Sequence, residues 1–215
     1  MDLGLKDKVI IVTGGGAGIG EGISRACLAE GARVVVLSRR SDNVQHFMVE
    51  TASAGAPCTL IEAHLEDTNL CRAAISEVER QFGAIDGLVN NAGVNDGVGL
   101  QSGSVERFQE SLQKNLIHYY ALAHDALPAL KRSQGSIVNI SSKVALTGQG
   151  NTSGYAASKG AQLALTREWA AELLPFNVRV NAVLPAEVMT PLYERWLKTL
   201  GDPDARLREI TSKIP

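Results

Sequence analysis

Six short apolar runs alternate with helical patterns along most of this chain, and this alternation constrains the fold more than any other feature of the sequence. The runs are rich in β-branched residues and apolar almost throughout, which is typical of strands in a parallel sheet covered on both faces. Parallel strands joined by helices require right-handed crossover connections. The predicted strands are Val9–Val12, Arg33–Leu37, Cys58–Ala63, Gly87–Asn90, Ser136–Ile140 and Val178–Val183.

The segments between these strands predict helices near Ile19–Glu30, Val44–Ala54, Asn69–Phe82 and Val105–Leu130, and another that begins near Ser153. From Pro191 onward the sequence is again helical in character, with a break at GDPDA. The pattern therefore predicts a doubly wound α/β (Rossmann) fold with three α/β/α layers. No repeat, low-complexity segment or linker divides the 215 residues, so we expect a single domain over residues 1–215.

Composition excludes several classes of function. A formal net charge of -2 argues against nucleic acid or an anionic membrane as the main partner, because both favour a basic surface. No apolar run approaches the roughly 20 residues that cross a bilayer, and the N-terminus lacks the pattern of a signal peptide. Cys27, Cys58 and Cys71 have no metal-ligand spacing, so we expect reduced, mostly buried thiols in a cytoplasmic protein without a bound metal.

A glycine-rich turn follows the first predicted strand and opens the first predicted helix. The stretch TGGGAGIG spans Thr13–Gly20, with the spacing Gly14-x-x-x-Gly18-x-Gly20. Glycines let the backbone approach a pyrophosphate, and free N–H groups at a helix N-terminus stabilise its charge. Such glycines can be purely structural, but their position between the first strand and the first helix favours a dinucleotide site. We therefore predict that Gly14, Gly18, Ile19 and Gly20 bind the cofactor.

The end of the second strand bears on the choice between NADP and NAD. Domains that bind NAD usually have Asp or Glu there to hold the ribose 2′-hydroxyl. Here the stretch VLSRRSD has Ser38 at that position, followed by Arg39 and Arg40. A guanidinium matches a 2′-phosphate, so we predict a preference for NADP, with Ser38 and Arg39 in contact with it. In the alternative, both arginines are solvated, and Asp42 or a backbone group binds the hydroxyl of NAD.

The motifs of the chain, taken in order, resemble the short-chain dehydrogenase/reductase family over essentially its whole length. They are TGGGAGIG, NNAG (Asn90–Gly93), Asn115, NISS (Asn139–Ser142), Tyr155-x-x-x-Lys159 and NAVLPAEVMTP (Asn181–Pro191). The resemblance implies an NAD(P)-dependent oxidoreductase that transfers hydride between nicotinamide and a carbinol or carbonyl carbon. It implies a catalytic tetrad of Asn115, Ser142, Tyr155 and Lys159, with Ser142 preferred over Ser141 by its distance from the tyrosine. The cofactor contacts that it adds are Leu65, Asn91, Ala92, Gly93, Tyr155, Lys159, Pro185, Val188 and Thr190.

Tyr155 and Lys159 are four residues apart, so on a helix they lie on one face. A free tyrosine has a pKa of about 10, and a positive charge within a few ångströms can lower the pKa of an acid by about 1–3 units. We therefore expect Lys159, together with the positive charge of an oxidised nicotinamide, to lower the pKa of Tyr155, so that the phenol acts as a general base on the substrate hydroxyl. By the resemblance, Ser142 hydrogen-bonds the substrate oxygen and Asn115 seats a water that relays the proton from Lys159 to solvent.

Polar loops predict the class of substrate. They contribute Asn95, Asp96, Gln149, Asn151, Thr152 and Glu187. A pocket for a steroid or an acyl chain would be mainly apolar, whereas converging amides and carboxylates favour a polyhydroxylated molecule; each of these residues taken alone could equally be solvated. Stretches such as NNAGVNDG, NLIHYYALAH and PAEVMTPLY resemble the branch of the family that oxidises L-fucose, a 6-deoxy aldose, at C1 to its lactone. The resemblance implies sugar contacts from Asn95, Ser142, Gln149, Tyr155 and Glu187.

Other functions stay open at this point. A related branch acts on hydroxysteroids and shares the pattern TPL…DP, so a hydroxysteroid or other secondary-alcohol dehydrogenase is one alternative, and a cofactor-binding scaffold without turnover is another. Tyr193 and Trp196 are candidates to pack over the substrate or to belong to the core. His64 replaces an acid that the family often has near the adenine, where the backbone of Leu65 can serve instead.

The family normally continues past the end of this chain with another helix and a seventh strand. These elements help to close the site and to build the tetramer. Because the chain stops at Pro215, we expect either a fragment or a sheet with an exposed edge strand. Analogy with the family predicts a homo-oligomer, either a dimer or a tetramer.

Overall fold

The computed structural model describes residues 2–199 and 201–212, and the described chain forms a six-stranded parallel sheet with helices on both faces. Within these ranges the side chains of residues 191, 192, 195 and 196 are not described, so the expectation for Trp196 lies outside the described part. The strands are β1 Val9–Thr13, β2 Arg33–Ser38, β3 Cys58–Glu62, β4 Gly87–Asn90, β5 Ser136–Ile140 and β6 Arg179–Val183. Each strand end lies within one residue of its predicted position.

The strand order is β3-β2-β1-β4-β5-β6. The chain adds β2 and β3 on one side of β1 and then returns to add β4, β5 and β6 on the other side. Val12 of β1 therefore pairs with Val36 of β2 on one side and with Val89 of β4 on the other. The order therefore reverses between β1 and β4, and in such sheets the ligand crevice lies outside the carboxyl ends of the strands at this point. The predicted doubly wound fold is confirmed.

The described helices are α1 Gly18–Ala29, α2 Asp42–Ser53, α3 Thr68–Phe82, α4 Val105–Leu112, α5 His118–Ser133, α6 Ser153–Leu173, α7 Pro191–Lys198 and α8 Pro203–Thr211. The prediction of a single helix over Val105–Leu130 is wrong in one respect, because a π-helical segment, Gln113–Ile117, separates α4 from α5. Short π-helical turns inside α-helices occur frequently at functional sites. None of the helices in the described ranges is long and apolar enough to cross a membrane.

Two apolar layers cover the two faces of the sheet. Successive residues of β1 point to opposite faces, so Val9 and Ile11 belong to the layer under α3, α5 and α6, whereas Ile10 and Val12 belong to the layer on the other face. All five residues of β1 are buried, as expected for a central strand of a parallel sheet. At the edge, β6 alternates between buried and exposed residues, and Val183 is 51% exposed.

Candidate active site

The glycine-rich turn leads the backbone from β1 into the first turn of α1. Gly14 and Gly18 have φ angles of 62° and 56°, in the left-handed region that favours glycine. A Cβ on Gly20 would lie 2.3 Å from the carbonyl oxygen of Gly14 and 2.5 Å from Asn91 Nδ2, so a side chain does not fit there. The N-cap residue Ala17 provides no side-chain hydrogen bond. The N–H groups of the first turn therefore remain available to an anion.

The NNAG segment after β4 is fastened to the end of β1. Thr13 Oγ1 accepts hydrogen bonds from the N–H groups of Asn91 and Ala92 at 2.8 and 2.9 Å, and Asn91 Nδ2 donates to the Thr13 carbonyl at 2.8 Å. The loop after β6 also reaches this turn, since a Cβ on Gly18 would lie 3.6 Å from the Cβ of Thr190. The structure thus brings predicted cofactor residues from three loops together.

A pocket of about 300 Å³ lies at the end of β2, and it is lined by Ser38, Arg39, Arg40, Ser41, Glu62 and His64. Arg40 Nε is 2.8 Å from Glu62 Oε2, and Glu62 is the register partner of Ser38 on β3. Arg39 is exposed and has no carboxylate within 4.0 Å among the described residues. Of the two arginines of the VLSRRSD stretch, only Arg39 is therefore free for a ligand. The side chain of Leu65 packs against the core.

Tyr155 and Lys159 lie on one face of α6, as their spacing predicts. Lys159 Nζ is 5.4 Å from the centroid of the Tyr155 ring. Lys159 is only 4% exposed, and its Nζ donates hydrogen bonds to the Ile140 carbonyl at 2.7 Å and to Gln162 Oε1 at 3.2 Å. The Tyr155 side chain is half-buried and hydrogen-bonds to Ser142.

The pKa of Tyr155 departs from the sequence-based expectation. Burial raises the pKa of Tyr155 above its ordinary value of 10.0, and the hydrogen bond with Ser142 lowers it only in part. Burial also lowers the pKa of Lys159 to about 7, because the ammonium loses its hydration. Lys159 is therefore only partly charged near neutral pH. In the protein alone Lys159 does not lower the pKa of Tyr155, and the expectation that Lys159 and an oxidised nicotinamide lower it together stays a prediction.

The two serines after β5 have different surroundings. Ser141 is buried, and its hydroxyl donates to the carbonyl of Lys159 at 2.9 Å. Ser142 is half-buried, accepts a hydrogen bond from the N–H of Val144 at 3.4 Å, and also bonds to Tyr155. Ser142 therefore faces the phenol, whereas Ser141 ties α6 to the end of β5.

Asn115 lies in the π-helical segment and is completely buried. Its Oδ1 accepts a hydrogen bond from the N–H of Val94 at 2.7 Å, and its Nδ2 donates to the carbonyl of Ser111 at 2.9 Å. A Cβ on Gly93 would lie 2.9 Å from Asn115 Oδ1 and 3.8 Å from Lys159 Nζ. The Asn115 side chain thus holds the loop after β4 against the Lys159 ammonium.

The polar loops that predict the substrate site meet in two pairs. The N–H of Gly154 donates to the carbonyl of Val98 at 3.2 Å, which joins the loop after β4 to the start of α6. The N–H of Lys143 donates to the carbonyl of Pro185 at 3.0 Å, which joins the loops after β5 and β6. Both pairs of loops flank the helix that contains Tyr155.

The polar residues predicted to contact the sugar, after β4 and before α6, differ in their exposure and in their hydrogen-bond partners within the protein. Asn95 and Gln149 are exposed, and Asn95 Oδ1 accepts only a long hydrogen bond, 3.4 Å, from the N–H of Gly97. Asp96 is less available, because Ser111 Oγ donates to its Oδ1 at 2.9 Å. The polar residue of this loop that remains free for a ligand is therefore Asn95.

Glu187 forms an ion pair with Lys143, a residue that the sequence analysis missed. Burial by itself would raise the pKa of Glu187, but hydrogen bonds from Lys143 and Tyr193 hold it below its usual value. Burial, together with the hydrogen bond to Glu187, raises the pKa of Tyr193 to about 12. Tyr193 therefore lies against the Glu187 carboxylate. The sequence signal that identifies Lys143 is its position directly after Ser142.

The loop after β6 connects this ion pair with the phosphate turn. Pro185 is half-buried and Val188 is 39% exposed. Thr190 Oγ1 accepts a hydrogen bond from the N–H of Tyr193 at 3.2 Å at the start of α7, close to Gly18. The loop therefore runs along the crevice between the predicted substrate side and the predicted phosphate side.

Comparison with known proteins identifies the family. The family model for short chain dehydrogenases matches residues 8–201. The chain belongs to the short-chain dehydrogenase family. It is 39% identical to an L-fucose dehydrogenase of Bos taurus over 209 residues, which are 97% of this chain and 76% of that protein. The family and the branch expected from the motifs are confirmed.

Solved structures agree with this assignment. The crystal structure of Cj0485 dehydrogenase has a TM-score of 0.94 and 42% identity, covering 100% of this chain and 82% of that one. The aldohexose dehydrogenase of Thermoplasma acidophilum has a TM-score of 0.81 and 34% identity, covering 91% of this chain and 72% of that one. At these identities the likeness extends beyond the fold to the family.

The crevice of this short-chain dehydrogenase fits a nicotinamide dinucleotide. The left-handed glycines and the uncapped first turn of α1 suit a pyrophosphate. The pocket at the end of β2 suits the adenosine ribose of such a cofactor. Gly93 lets the loop after β4 lie close to Asn115 and Lys159, because a Cβ there would be 2.9 Å from Asn115 Oδ1.

Gln162 is a second polar residue that the sequence analysis missed. It is completely buried and contacts Lys159 and the backbone of Asn115. Its position three residues after Lys159 and seven after Tyr155 indicates the same helix face. A buried amide on the face of the two ionisable residues is the signal that identifies it.

Proposed function

We propose that this chain is an NAD(P)-dependent sugar dehydrogenase that oxidises C1 of L-fucose or a related aldose to the lactone. The observation that carries the proposal is the half-buried Tyr155 phenol, which hydrogen-bonds to Ser142 and has Lys159 Nζ 5.4 Å from its ring centroid. The relatives that act on L-fucose and on aldohexoses support an aldose as the substrate.

Oxidation at C1 removes a hydride from the carbon and a proton from its hydroxyl group. A bound nicotinamide supplies the hydride acceptor. Tyr155 takes the hydroxyl proton, and Ser142 hydrogen-bonds the oxygen as it becomes a carbonyl. Because the pKa of Tyr155 lies above 10.0 in the protein alone, this step needs nearby positive charge, which we assign to protonated Lys159 together with the oxidised nicotinamide. With a pKa of about 7, Lys159 can also exchange a proton near neutral pH, as a relay to solvent requires.

For the cofactor we propose NADP in preference to NAD. Arg39 supports this choice, because it lines the pocket at the end of β2 without an acidic partner in the described chain. Arg40 is paired with Glu62 and contributes less. The proposed contacts along the crevice are Gly14, Gly18, Ile19, Gly20, Ser38, Arg39, Leu65, Asn91, Ala92, Gly93, Tyr155, Lys159, Pro185, Val188 and Thr190.

For the sugar we propose Asn95, Gln149 and Glu187 as contacts beside Ser142 and Tyr155. Exposed amides at Asn95 and Gln149 can exchange water for sugar hydroxyls. The Lys143–Glu187 ion pair disfavours a hydroxysteroid, because an apolar ligand over it would remove water from two charges without replacing its hydrogen bonds.

We also propose that the protein is a homo-oligomeric, single-domain enzyme of the cytoplasm. Tyr120 on α5, 56% exposed, and Leu174 and Phe176 after α6, 73% and 42% exposed, support a covered surface in an oligomer. The three cysteines are free thiols, which suits a reducing compartment.

The test is a substrate panel, followed by the absorbance of the reduced nicotinamide, with aldoses, hydroxysteroids and simple secondary alcohols. Tyr155→Phe should lower turnover of the aldose by about 100- to 10,000-fold and leave cofactor binding unchanged. Tyr120→Phe, which removes the hydroxyl of an exposed ring that packs beside Trp169, fourteen residues beyond Tyr155 on α6, is the matched control and should retain turnover. Turnover by Tyr155→Phe at the parent rate, oxidation of steroids alone, or cofactor binding without any turnover would each contradict the proposal.

A further inference from the structure

The ammonium of Lys159 is held by two uncharged acceptors. Its Nζ donates to the Ile140 carbonyl and to Gln162 Oε1, at 2.7 and 3.2 Å. The cause of the change in its pKa is burial, and no carboxylate of the described chain offsets it. One of these two acceptors is part of the backbone, so Gln162 is the acceptor that a substitution can remove.

Gln162 makes a second hydrogen bond that fixes the orientation of its amide. Its Nε2 donates to the backbone carbonyl of Asn115 at 2.7 Å. An ammonium has only donors and a carbonyl has only an acceptor, so Oε1 must face Lys159 and Nε2 must face Asn115. The amide therefore bridges α6 and the π-helical segment in one defined orientation.

The π-helical segment supplies the carbonyl that this bridge needs. Two of its carbonyl oxygens, those of Lys114 and Asn115, accept hydrogen bonds from side chains, His118 Nε2 at 3.0 Å and Gln162 Nε2 at 2.7 Å. The hydroxyl of Thr166 donates to the carbonyl of Gln162 at 2.7 Å and fixes the helix turn that follows. Gln162 is therefore anchored at its backbone and at both ends of its amide.

Other titratable groups face Lys159 from its own helix and from α5. Tyr155 and Tyr119 present their rings, with centroids 5.4 and 5.6 Å from Lys159 Nζ. His118 is nearly completely buried, and burial, with a smaller effect of Lys159, lowers its pKa to about 4, so that it is neutral near pH 7. Burial raises the pKa of Tyr119, so that it is also neutral. These three neighbours therefore stay uncharged between pH 6 and pH 8.

We propose that Gln162 is a positioning residue for proton transfer, because its amide bridges Lys159 Nζ and the Asn115 carbonyl and thereby holds the Lys159 ammonium beside Tyr155. The inference rests on the proposed function, in which protonated Lys159 supports proton removal by Tyr155. The amide oxygen of Gln162 accepts a hydrogen bond from Lys159 Nζ. This hydrogen bond is stronger when Lys159 is charged than when it is neutral, so the amide stabilises the charged form.

The first experiment measures the titration of Lys159 directly, by NMR of protein with nitrogen-15-labelled lysine. Gln162→Met keeps the length of the side chain but removes the acceptor, so the pKa of Lys159 should fall by about one unit. Gln162→Glu places a negative charge there, so the pKa should rise by about one unit or more. Ser158→Ala, which removes from the same helix a buried hydroxyl that donates to the Gly154 carbonyl, should leave the pKa unchanged.

The second experiment measures the rate of a single turnover against pH. If the rate follows the charged fraction of Lys159, a fall in pKa from about 7 to about 6 makes Gln162→Met slower by about twofold at pH 6 and about tenfold at pH 8. The KM for the sugar and the affinity for the cofactor should not change. A merely structural defect would instead lower the rate equally at every pH.

Three results would overturn the inference: no change in the Lys159 titration with Gln162→Met, a deficit in rate that does not depend on pH, or an equal shift with Ser158→Ala. Failure of the proposed function gives a different result, since the parent protein would then oxidise no sugar while the NMR titration still reported the contact between Gln162 and Lys159.

Discussion

Gly20→Ala should damage the phosphate turn, and the structure gives the size of the effect. The new Cβ would lie 2.3 Å from the Gly14 carbonyl oxygen and 2.5 Å from Asn91 Nδ2. Both distances are at least about 1 Å shorter than the roughly 3.5 Å at which non-bonded atoms pack, and one of the atoms belongs to the backbone. Forcing such a contact costs about 1–3 kcal/mol. For a chain of this length that cost lowers the melting temperature by about 2–12 °C.

The same substitution two residues later is the matched control. Gly22 lies on the exposed face of α1, and a Cβ there meets nothing within 4 Å. Gly22→Ala should therefore raise the stability by about 1 kcal/mol, or about 2–4 °C, through helix propensity alone. The two variants have the same composition and should change stability in opposite directions.

Calorimetric melting and titration with NADP measure the two effects. Gly20→Ala must displace the first turn of α1, whose N–H groups we assign to the pyrophosphate, so its affinity for NADP should fall about tenfold or more, the equivalent of about 1.4 kcal/mol. Gly22→Ala should bind NADP like the parent. A Gly20→Ala protein with parental stability and parental affinity would refute both the packing argument and the assignment of this turn.

Three further predictions concern charge. Arg39→Asp should weaken NADP binding by about 10- to 100-fold in a direct titration and leave NAD binding nearly unchanged, whereas equal losses for both cofactors would contradict the 2′-phosphate assignment. Because the pKa of Lys159 is lowered from 10.5 to about 7, the unfolded chain binds more protons than the native protein between these pH values, and the parent loses stability as pH falls through this window. Urea unfolding should therefore show the unfolding free energy of Lys159→Met rising relative to that of the parent by about 1.4 kcal/mol for each unit by which the pH is lowered between these two values. A difference between the two proteins that does not change with pH would contradict the lowered pKa of Lys159. Glu187→Gln should raise the KM for the sugar by about tenfold with little change in kcat, whereas the exposed Glu194→Gln serves as its control, and equal KM values for the two variants would remove Glu187 from the sugar site.

The sequence predicts the sheet well because its strands are encoded locally. A run such as VIIV in β1 is apolar on both faces and β-branched, so it is compatible with little except a central parallel strand. The glycine turn and the Tyr155–Lys159 pair are local as well, since each depends on residues within eight positions of one another. Local patterns of this kind determine the crevice and the helix that carries the two ionisable residues.

The parts that the sequence does not predict depend on contacts between distant segments. The Arg40–Glu62 and Lys143–Glu187 ion pairs join residues 22 and 44 positions apart, and no periodicity indicates them. The π-helical segment is equally hidden, because its residues continue the helical pattern of α4 and α5. The direction of the pKa change at Tyr155 is also a tertiary property, since burial by surrounding elements outweighs the opposite effect of the hydrogen bond with Ser142.

Lys159 shows why burial belongs to the chemistry of this site. Burying an ammonium against neutral carbonyls costs stability, and an apolar residue in its place would remove that cost. The same burial brings the pKa of Lys159 to about 7, so that a group normally charged throughout the neutral range can gain or lose a proton there. A surface lysine at this helical spacing would keep its charge and could not relay a proton near neutral pH. The proposed proton relay therefore requires both the position of the lysine beside Tyr155 and its burial next to Asn115 and Gln162, and only the position can be predicted from the spacing of four residues.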